Sequence, residues 1–159
     1  MSTGRPVNDD SMFEKILIAN RGAIAVRMAR TLRKMGIACV AVYADSDAES
    51  LHLRCADEAI CLGEGGATDT YLNQEKILEI ARATGAQAIL PGYGFLSENA
   101  DFARRCEASG LAFIGPTAEQ IDAFGLKHTA REIAQSANVP LLTGSGLLAS
   151  VEEARHKAR

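Results

Sequence analysis

Tyr93 and Glu98 are the residues of this chain whose setting most needs a chemical explanation. They lie in the run Ala88-Ile89-Leu90-Pro91-Gly92-Tyr93-Gly94-Phe95-Leu96-Ser97-Glu98-Asn99. This run begins as an apolar strand, breaks at Pro91-Gly92, and ends where a helix should start. Gly92 and Gly94 let the backbone adopt conformations closed to other residues and let a ligand approach the main chain. A tyrosine and a carboxylate beside a strand end and a helix N-terminus make a polar cluster, whereas stability alone would be served by a shorter loop. The competing reading is a structural hydrogen bond between loop and helix.

Two basic residues stand at predicted helix entries. Arg21, in Asn20-Arg21-Gly22, is placed to bind an anion together with free backbone N–H groups. It is equally placed to be a solvated arginine at a helix entry, and spacing leaves both open. Lys127 opens a helix whose dipole it opposes, a penalty that an anionic ligand would offset; a solvated lysine is the alternative. His52, His128 and His156 show no metal-ligand spacing and are assigned no chemistry. Cys39, Cys55, Cys61 and Cys106 form no CxxC pair. Cys39, Cys61 and Cys106 lie in or beside apolar segments and are expected in the core.

The elements that must position these residues alternate. Lys15 to Ala19, Ile37 to Tyr43, Ala59 to Leu62, Ala86 to Leu90 and Leu111 to Ile114 are predicted strands. Helices are expected over Ala23 to Met35, Glu49 to Ala56, Asn73 to Thr84, Ser97 or Asn99 to Ser109, Thr117 to Ala123 and Lys127 to Ala137. A last helix is capped by Ser150. Ile24, Met28, Leu32 and Met35 give the first helix its apolar stripe. Strands separated by helices imply parallel βαβ units and an α/β fold, a Rossmann-like doubly wound sheet of order 3-2-1-4-5. The order reverses between strands one and four, and the crevice at their C-terminal ends is the expected ligand site. The loops meeting there are Asn20-Arg21-Gly22 and Pro91 to Glu98, so topology and chemistry indicate one place. Neither GxGxxG nor GxxxxGK[ST] follows the first strand, which argues against dinucleotide chemistry. Glu64 to Thr68 is expected to be a flexible surface loop.

Composition narrows the class. The 159 residues are 47% hydrophobic with a net charge of −3, enough for one core and without a basic run for nucleic acid. No apolar run is long enough for a membrane span and no signal-peptide pattern opens the chain, so a reduced, cytoplasmic protein is expected. Residues 1–12 are expected to be a disordered tail, 13–116 the sheet domain, and 117–159 a helical segment beyond it.

Lys15 to Gly22 (KILIANRG), Tyr71-Leu72-Asn73, Pro91 to Asn99 (PGYGFLSEN) and Phe113 to Pro116 (FIGP) resemble the biotin carboxylase component of biotin-dependent carboxylases. The resemblance covers about residues 13 to 159 and implies the sheet that precedes an ATP-grasp domain, with 117–159 as the lead-in. It implies an ATP-driven ligase: MgATP and bicarbonate give carboxyphosphate, whose carbon dioxide passes to the ureido nitrogen of protein-bound biotin. The cofactors implied are ATP, Mg2+ and biotin, with bicarbonate as substrate. Tyr93 and Gly94 would handle the biotin ring and reacting carboxylate, Glu98 would border the same pocket, and Lys127 would reach ATP phosphate. Arg27 and Arg30 match helix positions that face a homodimer interface in bacterial homologues. A biotin carboxyl carrier domain is the other implied partner.

The family commonly has Glu after NRG and His before PGYG, where this chain has Ala23 and Leu90, and its Met-Gly-Asp-Lys segment is here Phe124-Gly125-Leu126-Lys127. NRGAIA, LGEGGA and FGLKHTAR look most like urea carboxylase, including the carboxylase half of urea amidolyase. A biotin carboxylase of an acetyl- or propionyl-CoA carboxylase and a truncated, non-catalytic binding module are the rival readings. The resemblance places the ATP-grasp loop, the metal-binding carboxylates, the catalytic base and the biotin-bearing domain after residue 159. The chain by itself is therefore expected to fold without turning over ATP.

Overall fold

In the computed structural model, residues 13–158 are described; the tail expected over residues 1–12 lies outside them. β1 (Lys15–Ile18) and β2 (Ala38–Ala44) are near-continuous apolar runs, and Leu17, Ile18, Val40 and Val42 are wholly buried. A strand of this kind must be covered on both faces. β3 (Glu58–Gly63), β4 (Ala88–Leu90) and β5 (Ala112–Phe113) complete one parallel sheet of order β3-β2-β1-β4-β5. The register pairs Leu17 with Val40 on one side and with Ile89 on the other. The predicted order and direction of the strands are those observed.

Helices cover both faces. α1 (Gly22–Lys34) buries Ala25, Val26, Met28, Ala29 and Leu32, and several of these pack with Ile16, Ile18, Cys39 and Ala88 on one side of the sheet. α3 (Gln74–Ala83) and α4 (Ala100–Ala108) cover the other side, where Ile77, Leu78, Phe102 and Cys106 pack with Leu17, Val40, Val42 and Ile89. Each fully buried aliphatic or aromatic side chain there contributes roughly 1.5–3 kcal/mol. Burial also pushes the Cys106 thiol up to about 12. α2 (Leu51–Cys55) is a short helix between β2 and β3. The caps follow expectation: Asn73 accepts from Lys76 N at 3.1 Å, and Asn99, one of the two expected caps, accepts from Phe102 N at 2.8 Å.

Two expectations fail, each for a local reason. Met35 is 52% exposed, because α1 ends at Lys34 and Met35 is its C-cap, past the last turn that faces the sheet. Cys61 is exposed rather than core, because β3 is an edge strand with alternating burial; its thiol donates to Asp45 Oδ1 at 2.7 Å. That hydrogen bond, with some burial, raises its pKa. Glu64 to Thr68 is an exposed loop, as expected, and hydrogen bonds brace it and its flanks. Thr70 Oγ1 donates to Gly66 O at 2.8 Å, Leu72 N to Ala67 O at 2.7 Å, and Lys76 Nζ to Leu62 O at 3.0 Å.

The chain divides into two compact units, the first ending at Ala118 and the second starting at Glu119. α5 (Ala118–Gly125) begins at that boundary, and α6 (Lys127–Ser136) and α7 (Val151–Lys157) follow. α6 closes through Asn138 at φ +56°, with Val139 N donating to Ala134 O. Pro140 follows, which suits a helix stop. Ser150 caps α7 by accepting from Glu153 N at 3.1 Å. No described helix is long and apolar enough to cross a membrane.

Candidate functional site

The site begins at the topological reversal between β1 and β4. Past the strand ends, Ala19 N still donates to Leu90 O at 3.0 Å, which brings the next residues of both chains side by side. Asn20 is 3% exposed. Its Nδ2 donates to Pro91 O at 2.6 Å and to Tyr93 O at 2.9 Å, while its Oδ1 accepts from Arg21 N at 2.9 Å. Two carbonyls converge on one terminus of the amide, so that terminus must be the nitrogen. The loop after β4 is therefore fastened to the loop after β1 through one buried side chain.

Gly92 lies directly against this fastening at φ +70°. A Cβ there would stand 3.2 Å from both Asn20 Nδ2 and Met28 Cε, so the backbone conformation favours glycine and a side chain would press on both neighbours. Gly94 is also at φ +70°, but a Cβ there would meet nothing within 4 Å. The backbone at Gly94 is open to approach. Tyr93, between them, is 70% exposed, while Leu96 is buried as the plug of the loop. Ser97 N donates to Gly94 O and Asn99 N to Leu96 O, so Glu98 is held, exposed, in the turn that leads to the Asn99 cap of α4. The structure thus places Tyr93, Gly94 and Glu98 on one ordered loop at the C-terminal edge of the sheet. An apolar groove of about 360 Å³ is lined by Tyr93, Gly92, Leu90, Ile24, Met28 and Leu32, among others.

Arg21 stands on the neighbouring loop as the N-cap of α1 and makes no side-chain cap hydrogen bond. Its Nη1 donates to both oxygens of Asp47 at 2.8 Å, and its guanidinium lies 5.7 Å from the centroid of the Tyr71 ring. The hydrogen bond and charge of Asp47 raise the Arg21 pKa. Burial works to raise Asp47, but hydrogen bonds from Tyr71 and Arg21 and the arginine charge outweigh it and hold the carboxyl below its usual range. Burial first, then the hydrogen bond to Asp47, push the Tyr71 phenol well above its ordinary value. Half of the Arg21 side chain remains exposed.

Lys127 belongs to the second unit, where it is the first residue of α6. The N-cap there, Leu126, provides no side-chain hydrogen bond, and the first turn holds no acidic residue. Arg27 and Arg30 are exposed on α1 and line a second groove of about 640 Å³ together with Lys34 and α2 residues; Arg27 also lines the apolar groove beside Tyr93. Among the described residues no group of three His, Cys, Asp or Glu is arranged to hold a metal ion. The sequence places the Asn20-Arg21-Gly22 loop at this edge but gives the Asn20 side chain no role, and nothing in it brings Asp47 or Tyr71 here. Only the position of Asn20 directly past β1, at the expected switch point, carried a usable signal.

Residues 12–121 match the family model described as the biotin carboxylase N-terminal domain. Urea amidolyase of Saccharomyces cerevisiae is 54% identical over 147 residues, which cover 92% of this chain and 8% of that protein. Biotin carboxylase 1 of Bacillus subtilis is 51% identical over 144 residues, covering 90% of this chain and 32% of that protein. Among solved structures, the biotin carboxylase domain dimer of Hydrogenobacter thermophilus 2-oxoglutarate carboxylase, in complex with MgADP, ADP and bicarbonate, superposes with a TM-score of 0.86. It is 46% identical and covers 93% of this chain and 33% of that chain. The chain therefore spans a third or less of the length of these relatives.

Proposed function

The chain belongs to the biotin carboxylase N-terminal domain family, and on that premise we propose that it forms one wall of the biotin site of an ATP-driven carboxylase, with urea as the carboxyl acceptor. In this reading residues 13–116 are the sheet domain, and 117–159 lead into an ATP-grasp domain. The observation that carries it is the loop from Pro91 to Glu98, fastened by Asn20 so that Tyr93, Gly94 and Glu98 stand together at the sheet edge.

Those residues fit a small heterocycle. The exposed Tyr93 ring offers a flat apolar face, and the open backbone at Gly94 lets a ligand approach closely. Glu98 supplies an acceptor for a polar N–H of the same ligand. Biotin, when bound, supplies the ureido nitrogen that takes up the carboxyl group. What the chain does is orient that ring and hold it against the sheet edge, the positioning part of catalysis. Lys127, at an uncapped helix start, suits an ATP phosphate. Arg21 spends Nη1 on Asp47 and keeps its other guanidinium donors for an anion at the neighbouring loop. The described residues do not form a site for Mg2+, so no step through the metal is assigned to them. The exposed Arg27 and Arg30 of α1 suit a homodimer contact, a biotin carboxyl carrier domain is the other partner, and the cytoplasm is the compartment.

Urea is preferred because Ala23 and the Phe124-Gly125-Leu126-Lys127 segment depart from the common biotin carboxylase pattern in the direction of urea carboxylases. Overall identity does not decide the matter, since 54% to a urea amidolyase and 51% to a biotin carboxylase are nearly equal. In the carboxylase that contains this chain, biotin-dependent ADP release is measured with urea, acetyl-CoA or propionyl-CoA. Stimulation by urea alone is expected. Stimulation by an acyl-CoA would overturn the choice of acceptor, and no biotin-dependent release with any acceptor would favour the non-catalytic module.

A further inference from the structure

Tyr71 ties together the loops after β1, β2 and β4. Its hydroxyl donates to Asp47 Oδ2 at 2.6 Å and accepts from Ala44 N at 3.0 Å, so it is clamped from two sides to the end of β2. Its ring, in turn, stacks on Phe95 with centroids 5.0 Å apart and an interplanar angle of 23°. Arg21 lies over the Tyr71 ring and completes the Asp47 pair.

Phe95 is the unusual member. It follows Gly94 directly and holds φ +43°, one of only two positive-φ residues other than glycine among the described residues. A bulky side chain in left-handed backbone is strained, and such strain persists only where surrounding contacts hold it. Offset aromatic stacking on a fixed ring is an interaction of comparable size. The stack, together with the packing of Phe95 against the buried cluster, holds this conformation, and the conformation sets the path of the chain between Tyr93 and Glu98.

We propose that Tyr71 is a positioning residue for the biotin-side loop. Its clamped hydroxyl fixes the ring, the ring fixes Phe95, and Phe95 fixes the directions in which Tyr93, Gly94 and Glu98 are presented. The proposal rests on the reading of that loop as the biotin side of the site.

Tyr71→Phe keeps the stack and loses the clamp, whereas Tyr71→Leu loses both. In the carboxylase containing this chain, Tyr71→Leu should lower kcat of biotin carboxylation by on the order of ten- to a hundredfold, the effect of a misplaced reacting group. Tyr71→Phe should fall between it and the parent, with KM for MgATP unchanged in both. Amide hydrogen exchange should quicken across residues 92–99 in Tyr71→Leu and stay unchanged in β1 and β4. Tyr93→Phe and Glu98→Gln are assayed alongside. If they impair carboxylation while Tyr71→Leu matches the parent in kcat and loop exchange, the positioning role is wrong and the site reading stands. If none of these variants changes kcat, the site reading itself is overturned. A parallel rise in KM for MgATP with faster exchange throughout the sheet would reduce Tyr71 to a general core residue and overturn the proposal.

Discussion

Replacing Asn20 by alanine tests how the candidate site is built. The substitution removes two donated hydrogen bonds, at 2.6 and 2.9 Å, and one accepted from Arg21 N. The bond to Pro91 O is buried, so that carbonyl loses a partner that solvent does not readily replace. A typical net hydrogen bond contributes about 1 kcal/mol, and stranding a buried acceptor costs about 1–3 kcal/mol. Asn20→Ala should thus destabilise the chain by about 2–4 kcal/mol. Asn20→Asp is the sharper control. It preserves size and the acceptor for Arg21 N, but it turns a carboxylate oxygen towards two carbonyls. If the hydrogen bonds matter, aspartate must be worse than alanine; if filling space matters, aspartate must be better. Urea denaturation of the chain, followed by far-UV circular dichroism, gives the stabilities, and amide exchange across residues 91–97 locates the damage. A loss below about 0.5 kcal/mol for alanine, the range of an ordinary surface substitution, would refute the fastening, as would aspartate being the milder change.

The two glycines of the loop should separate in the same experiment. Gly92→Ala carries left-handed strain, about 1–2 kcal/mol, and adds contacts at 3.2 Å with Asn20 and Met28, whereas Gly94→Ala carries the strain alone; the Gly92 variant should be clearly the less stable, and equal losses would contradict the packing described. Asp47 gives a pH test. Its folded-state pKa is lowered, so its contribution to stability is fully present above the ordinary carboxylate range near 4 and is lost as pH falls through the lower folded value. The stability gap between the parent and Asp47→Asn should therefore be constant from pH 8 to 5 and shrink below about pH 4. A gap that widens on acidification would contradict that sign.

Much of this fold is legible in the sequence because it rests on local signals. Apolar runs such as Ile16-Leu17-Ile18 and Cys39-Val40-Ala41-Val42 announce strands buried on both faces, and the helices between them force parallel pairing. From there the order β3-β2-β1-β4-β5 and the position of the crevice follow. Asn73 and Asn99 cap their helices as their types suggest. The loop carrying Tyr93 and Glu98 is visible because its glycines sit where a strand ends. The remainder depends on partners distant in sequence. Asn20 meets carbonyls beyond Pro91, and Tyr71 meets Asp47 and Phe95. No periodicity brings such residues together. The same reason explains Arg21: its type and place left an anion and solvent both open, while its nearest partner is Asp47, in the turn that follows β2. Cys61 shows the complementary error, since its neighbours in sequence are apolar and only the edge position of β3 exposes it.

The proposed placement of Tyr93 and Glu98 against biotin is tested most directly by transfer of labelled bicarbonate carbon to biotin in the carboxylase containing this chain. Glu98→Gln and Tyr93→Phe are compared with the parent at saturating MgATP, with folding checked by circular dichroism. Folded variants are expected, in which Glu98→Gln loses about tenfold of the transfer rate because a neutral amide oxygen accepts more weakly than a carboxylate, with KM for MgATP unchanged and a smaller loss for Tyr93→Phe. Full transfer by both variants would contradict that placement.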